Sequence, residues 1–121
     1  GVKAGLDHLT SIGSIVFVTD GLPSVQRLKV KSLKLDHWAT DVVYTWEFNM
    51  PKPQIARYIE RNFIHRVKTS PIVIGDNPYA DMALARNLDI DSIRIFQGRF
   101  RRAPSGSPAP KLEVNFFSEL F

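Results

Sequence analysis

Along the chain, short uninterrupted apolar runs alternate with segments whose apolar residues recur every three or four positions. Leu6, Leu9 and Ile12 keep helical spacing, and Gly13 follows as a stop. Ile15-Val16-Phe17-Val18 is continuous and is broken by Thr19-Asp20-Gly21, which predicts a strand covered on both faces. Pro23 suits the first turn of a helix whose apolar positions include Val25, Leu28 and Leu33. Asp41 to Trp46 is rich in β-branched and aromatic residues and predicts a second strand. Pro51-Lys52-Pro53 marks a turn and a helix start, after which Ile55, Ile59 and Phe63 share one face. Pro71-Ile72-Val73-Ile74, closed by Gly75-Asp76, predicts a third strand. Met82, Leu84 and Ala85 belong to a helix ending near Asn87, and Ile93 to Phe96 to a fourth strand. Residues 98–111 make a Pro/Gly/Ser-rich loop, and Leu112 to Phe121 predict a short strand or turn and a closing helix.

Helices and buried strands in alternation predict an α/β domain with a mostly parallel sheet. With 121 residues the chain fits one small domain, residues 1–121, able to bury a core without covalent staples. There is no cysteine, so disulfides, thiolate metal sites and a cysteine nucleophile are excluded. That usage is compatible with a cytoplasmic setting, which is the expected location. No apolar run approaches the roughly 20 residues of a membrane span, and no membrane partner is expected. Nor does the start, Gly1-Val2-Lys3-Ala4, resemble a signal peptide; it lacks a methionine, so a fragment of a longer protein is one reading. The net charge of +4 helps draw anions by field effects without identifying a nucleic-acid binder, and no nucleic-acid partner is expected.

In open parallel sheets, ligands sit beyond the carboxyl ends of the strands. The first predicted strand ends in Thr19, the third in Gly75-Asp76-Asn77-Pro78-Tyr79-Ala80-Asp81, and Lys52 opens the helix between them. A hydroxyl, an ammonium and two carboxylates at one rim suit a phosphate and a hard cation. The hydroxyl donates to a phosphate oxygen, the ammonium offsets its charge, and carboxylate oxygens hold magnesium.

The order of an apolar strand with Thr, Lys-Pro before a helix, and a strand followed by Gly-Asp-x-x-x-x-Asp is similar to motifs II, III and IV of the haloacid dehalogenase (HAD) superfamily. Gln26-Arg27-Leu28-Lys29, Leu35-Asp36-His37-Trp38, Asp41-Val42-Val43, the segment from Ala83 to Ile90 and Asn115 to Leu120 extend the resemblance over nearly the whole chain. It implies a Rossmann-like three-layer core and a phosphohydrolase with a magnesium cofactor. Thr19 would then bond the phosphoryl oxygens and Lys52 would stabilise the phosphate. Asp76 would bind the metal directly, with Asp81 supporting the metal or its waters. Positioning and charge are most of what phosphoryl transfer asks of a protein. The implied partner is a phosphorylated small molecule or a phosphate ion.

One motif of the family is missing from these residues. Its aspartate nucleophile lies in Asp-x-Asp after a first strand that precedes everything seen here. The one Asp-x-Asp, Asp89-Ile90-Asp91, follows a helix end and reads as a loop into the fourth strand. Asp20 is a weak substitute. No cap domain is visible, so the substrate is not specified. The motif I strand is central in the family, and its absence leaves two buried strands each short of a neighbour. Either those strands close up, or the slot is filled by an upstream segment, a second copy, or the segment Lys111-Leu112-Glu113-Val114.

Taken singly, each feature has a plainer reading. Thr19 alone is a turn residue, Lys52 a solvated lysine at a helix start, and Gly75-Asp76 a turn with a cap. His8, His37 and His65 lack metal-ligand spacing, and Trp38 and Trp46 read as core. Arg99-Phe100-Arg101-Arg102 reads as a solvated basic loop. Two functions stay open. In one, the chain is the core of a HAD-like phosphatase, inactive alone and completed by an N-terminal segment. In the other it is a non-catalytic binding or structural module, including a strand-exchanged homodimer. A phospho-receiver domain fails on order, because threonine and lysine here precede the acidic pair.

Overall fold

The computed structural model describes residues 2–65 and 70–121. It is an α/β structure of parallel strands and helices, with a Rossmann-like fold. Helix α1 (Val2–Ile12) leads to strand β1 (Ile15–Thr19), helix α2 (Pro23–Ser32) and strand β2 (Ala39–Tyr44). Helix α3 (Ala56–Ile59) widens into a π turn at Glu60–Ile64. Strand β3 (Ile72–Gly75) is followed by a π turn at Pro78–Met82 and helix α4 (Ala83–Leu88). Strands β4 (Asp91–Ile95) and β5 (Leu112–Val114) complete the order. None of the described helices is long and apolar enough to cross a membrane.

Among the described residues the strands form two sheets. One pairs β1 with β2, the other runs β3-β4-β5, and every pairing is parallel. No pairing joins β1 to β3 among the described residues, so each has an unpaired edge. The two flanking strands therefore do not close up. Nor does the segment at Lys111–Val114 fill the slot between them: Leu112, Glu113 and Val114 pair with Ile93, Arg94 and Ile95 on the far edge of the second sheet. Parallel addition to β4 satisfies a row of backbone groups there, and the Lys111 N–H donates to the Ser92 carbonyl at 2.9 Å.

The core links the first sheet to α4 through α3. Val43 of β2, Ile55, Ala56 and Ile59, and Leu84 and Leu88 of α4 form one buried cluster, with Val16, Val18, Tyr58, Phe63, Ile64 and Ile90 packed on it. The predicted Ile55, Ile59, Phe63 face is thus the face that packs. Gly5 permits a second close approach: a methyl there would stand 2.5 Å from the Phe117 ring and 2.6 Å from Phe121, which seats the final 3-10 turn (Phe117–Leu120) on α1.

Four expectations are corrected. β1 and β3 are half-buried or exposed rather than enclosed, and each pairs with one strand only among the described residues. On α2 only Val30 is buried, and Val25, Leu28 and Leu33 face outward. Trp46 is exposed at 47% and Trp38 half-buried, its indole N–H donating to Asp7 at 2.7 Å. The second strand runs from Ala39 to Tyr44, and Thr45 to Phe48 turn away as a 3-10 segment.

Candidate functional site

β1 ends in Thr19, and the next residue, Asp20, reaches across to the loop that precedes α3. Its Oδ1 accepts from the Lys52 backbone N–H at 3.0 Å. The same oxygen accepts from the Thr45 hydroxyl, which also lies 3.2 Å from the Thr19 carbonyl oxygen. Thr45 has no exposed surface. In register, Thr19 faces Tyr44, so Asp20 and Thr45 continue the parallel ladder as side-chain contacts. The turn can wrap this tightly because Gly21 takes φ +119°, where a side chain would be strained and would meet Gln26.

At the other end of Lys52, the ammonium donates to Asp81 Oδ1 at 2.6 Å. The two side chains are only 14% and 11% exposed. Asp81 Oδ2 accepts from the Asn77 backbone N–H at 3.1 Å, and Asn77 in turn caps the following turn through Tyr79 N–H at 2.9 Å. Gly75 makes room for this carboxylate, because a methyl group there would overlap it. Lys52 therefore touches groups that follow β1 and groups that follow β3, which sets the carboxyl ends of both sheets at one rim.

Lys52 and Asp81 are brought together as a largely buried pair. Asp76 lies at the end of β3 on the same loop, exposed and without a hydrogen bond among the described residues. Thr19 stands one residue from Asp20, but its hydroxyl donates to Gln26 Oε1 at 2.9 Å rather than toward Lys52. Asp20, weighed as a substitute nucleophile, is occupied in holding Lys52. For a divalent ion, Asp76 fits as one oxygen donor. Asp81 is engaged at both oxygens, by the Lys52 ammonium and by the Asn77 N–H. Among the described residues no group of three or more His, Asp or Glu could hold a metal ion. Sequence reasoning missed Thr45, Gln26 and Asn77. A threonine at the end of a strand-like run was the available signal for the first.

A parallel α/β fold whose strand-end rim carries a threonine, a lysine and two aspartates in this order defines a class, and the sequence profile of the HAD-hydrolase-like family matches residues 48–120. The chain belongs to that family.

Among solved structures, it resembles YfnB from Bacillus subtilis, a protein assigned to the HAD hydrolases and solved bound to magnesium: TM-score 0.83, 18% identity, over 99% of this chain and 53% of that one. It also resembles a 2-haloacid dehalogenase from Pseudomonas syringae pv. Tomato DC3000, with TM-score 0.76 and 23% identity over 98% of this chain and 49% of that one. A HAD phosphatase from Thermococcus onnurineus aligns with TM-score 0.73 and 25% identity over 97% of this chain and 53% of that one. The chain thus spans about half the length of these structures. A search of curated protein sequences finds no match.

Proposed function

We propose that these residues form the phosphate-holding half of a HAD-type phosphohydrolase site. The observation that carries the reading is the Lys52 ammonium, fixed 2.6 Å from Asp81 at the rim where both sheets end. Held there, it is a positive charge already placed at the rim, and an arriving phosphoryl group would draw it partly away from Asp81. Thr19 would exchange Gln26 for a phosphoryl oxygen. Asp76 would give one carboxylate oxygen to magnesium, which when bound offsets the phosphate's charge. Asp81 works mainly through Lys52. The aspartate that attacks phosphorus would arrive on a strand lying between β1 and β3, outside these 121 residues.

The test is hydrolysis of p-nitrophenyl phosphate with magnesium. These residues alone should give no turnover. A chain extended upstream by an apolar strand and Asp-x-Asp should turn over, and Asp76→Ala should abolish it. Turnover by the unextended chain would refute the role given to the missing nucleophile. Survival of activity in Asp76→Ala would refute the site. A second reading, favoured by the unpaired edges of β1 and β3, is a non-catalytic module whose copies exchange strands. It predicts a dimeric mass by light scattering, and a folded monomer would remove it.

A further inference from the structure

The loop after β4 carries groups that the proposed reaction does not use. Arg94, next to the last residue of β4, has no exposed surface. Its guanidinium donates to the Phe100 carbonyl at 2.9 Å, the Ala103 carbonyl at 3.1 Å and the Ser105 hydroxyl at 3.0 Å. Ser105 donates onward to Glu113 at 3.1 Å. The Arg94 Nε is left without a partner. A buried cation directed at three acceptors of a single loop holds that loop in one shape. Charge-assisted bonds of this kind are the strong ones, so the loop is set before any ligand arrives.

The loop so held leans on the candidate site. Gly98, at φ +72°, approaches Asp76 so closely that a methyl group there would stand 2.8 Å from Oδ2. Two residues on, the Phe100 ring meets Tyr79 edge to face, with centroids 5.5 Å apart at 76°. The Arg99 guanidinium sits 5.3 Å from the Phe100 centroid. Tyr79, three residues from Asp76, is 63% exposed. An open aromatic face and an exposed cation therefore stand at the rim beside the carboxylate.

We propose that Tyr79 and Phe100 form a subsite for the organic part of a planar aromatic phosphomonoester, with Arg99 attracting its negative charge. The inference rests on the reading of Lys52 as the phosphate contact, with Asp76 beside it on the metal side, and adds a substrate class to it. A flat ring can stack on the open face of Tyr79, whose own orientation is fixed by Phe100. A phosphate bound at Lys52 would bring its ester group to that side. An aliphatic ester reaches the same place but gains only ordinary burial.

The test is binding rather than turnover, read by NMR titration of the full chain with inorganic phosphate, glycerol 2-phosphate, phenyl phosphate and adenosine monophosphate. Phenyl phosphate should bind on the order of tenfold more tightly than glycerol 2-phosphate, in line with stacking of a base on an aromatic side chain. Tyr79→Ala should remove most of that advantage and leave inorganic phosphate unchanged, while Tyr79→Phe should keep it. Tyr79 is exposed enough that neither change threatens folding. Adenosine monophosphate binding more tightly than phenyl phosphate would mark a nucleobase as the planar group, and the reverse order a simple aryl ester. Equal binding of aromatic and aliphatic esters overturns the subsite, as does an aromatic advantage that survives Tyr79→Ala. Failure of inorganic phosphate itself to bind overturns the phosphate site beneath it.

Discussion

Lys52→Met separates the charge of Lys52 from most of its packing. The methionine side chain keeps the apolar stem and loses the ammonium. Asp81 is then left with one donor, the Asn77 N–H at 3.1 Å, in a position where its side chain is 11% exposed. Stranding one partner of a buried ion pair costs roughly 3–5 kcal/mol. Some solvent reaches both groups, so the lower end applies, about 3 kcal/mol. For a domain of this size that is on the order of 10 °C in melting temperature. Asp81→Asn in the same chain removes the stranded charge while its side-chain oxygen can still accept from Asn77. The double variant should therefore recover more than half of the loss. Urea unfolding with linear extrapolation measures all four corners of the cycle, and a coupling of about 2 kcal/mol is expected. A single variant that loses less than about 1 kcal/mol would refute the claim that this pair is buried and mutually dependent. So would a double variant no more stable than Lys52→Met.

Gly75→Ala places a methyl group against the Asp81 carboxylate and should cost about 2 kcal/mol by urea titration. Its cost should shrink in the Lys52→Met background, where Asp81 is free to move; full additivity would count against the contact. Lys34 sits in the left-handed region at φ 54° and ψ 34°. Lys34→Gly relieves a strain of about 1–2 kcal/mol at a smaller entropic cost. The urea midpoint should stay level or rise, and a loss beyond about 0.5 kcal/mol would contradict the strain.

The order of strands and helices was legible because period and punctuation are local properties of the chain. Ile55 and Ile59 show the pattern working, since both are buried where the spacing put them. Enclosure was less legible. The run Ile15 to Val18 is as apolar as a central strand, yet burial depends on what lies beside it, and β1 has a neighbour on one edge only. Val25 and Leu28 fail for the same reason: periodicity finds a face but does not say that a second layer covers it. Lys52 and Asp81 were legible as chemistry through their place after turns and strands. Their pairing was not, because it depends on tertiary distance. Asp20 and Thr45 were harder still, since their contacts join residues 25 apart in sequence. Arg94 offered a clearer signal: a charge between Ile93 and Ile95 in a strand must find partners or be expelled. Those partners are two carbonyls and a hydroxyl of the loop that follows.

Lys52 is tied at two points, by its backbone to Asp20 behind one sheet and by its ammonium to Asp81 behind the other. Drawing the ammonium toward an incoming anion would therefore loosen a polar clasp between two halves of the molecule. Affinity for the anion and cohesion of the halves would compete for a single nitrogen. Improving one by substitution at this position would erode the other, and compensating changes belong in the apolar packing of α3, which binds the halves without charge.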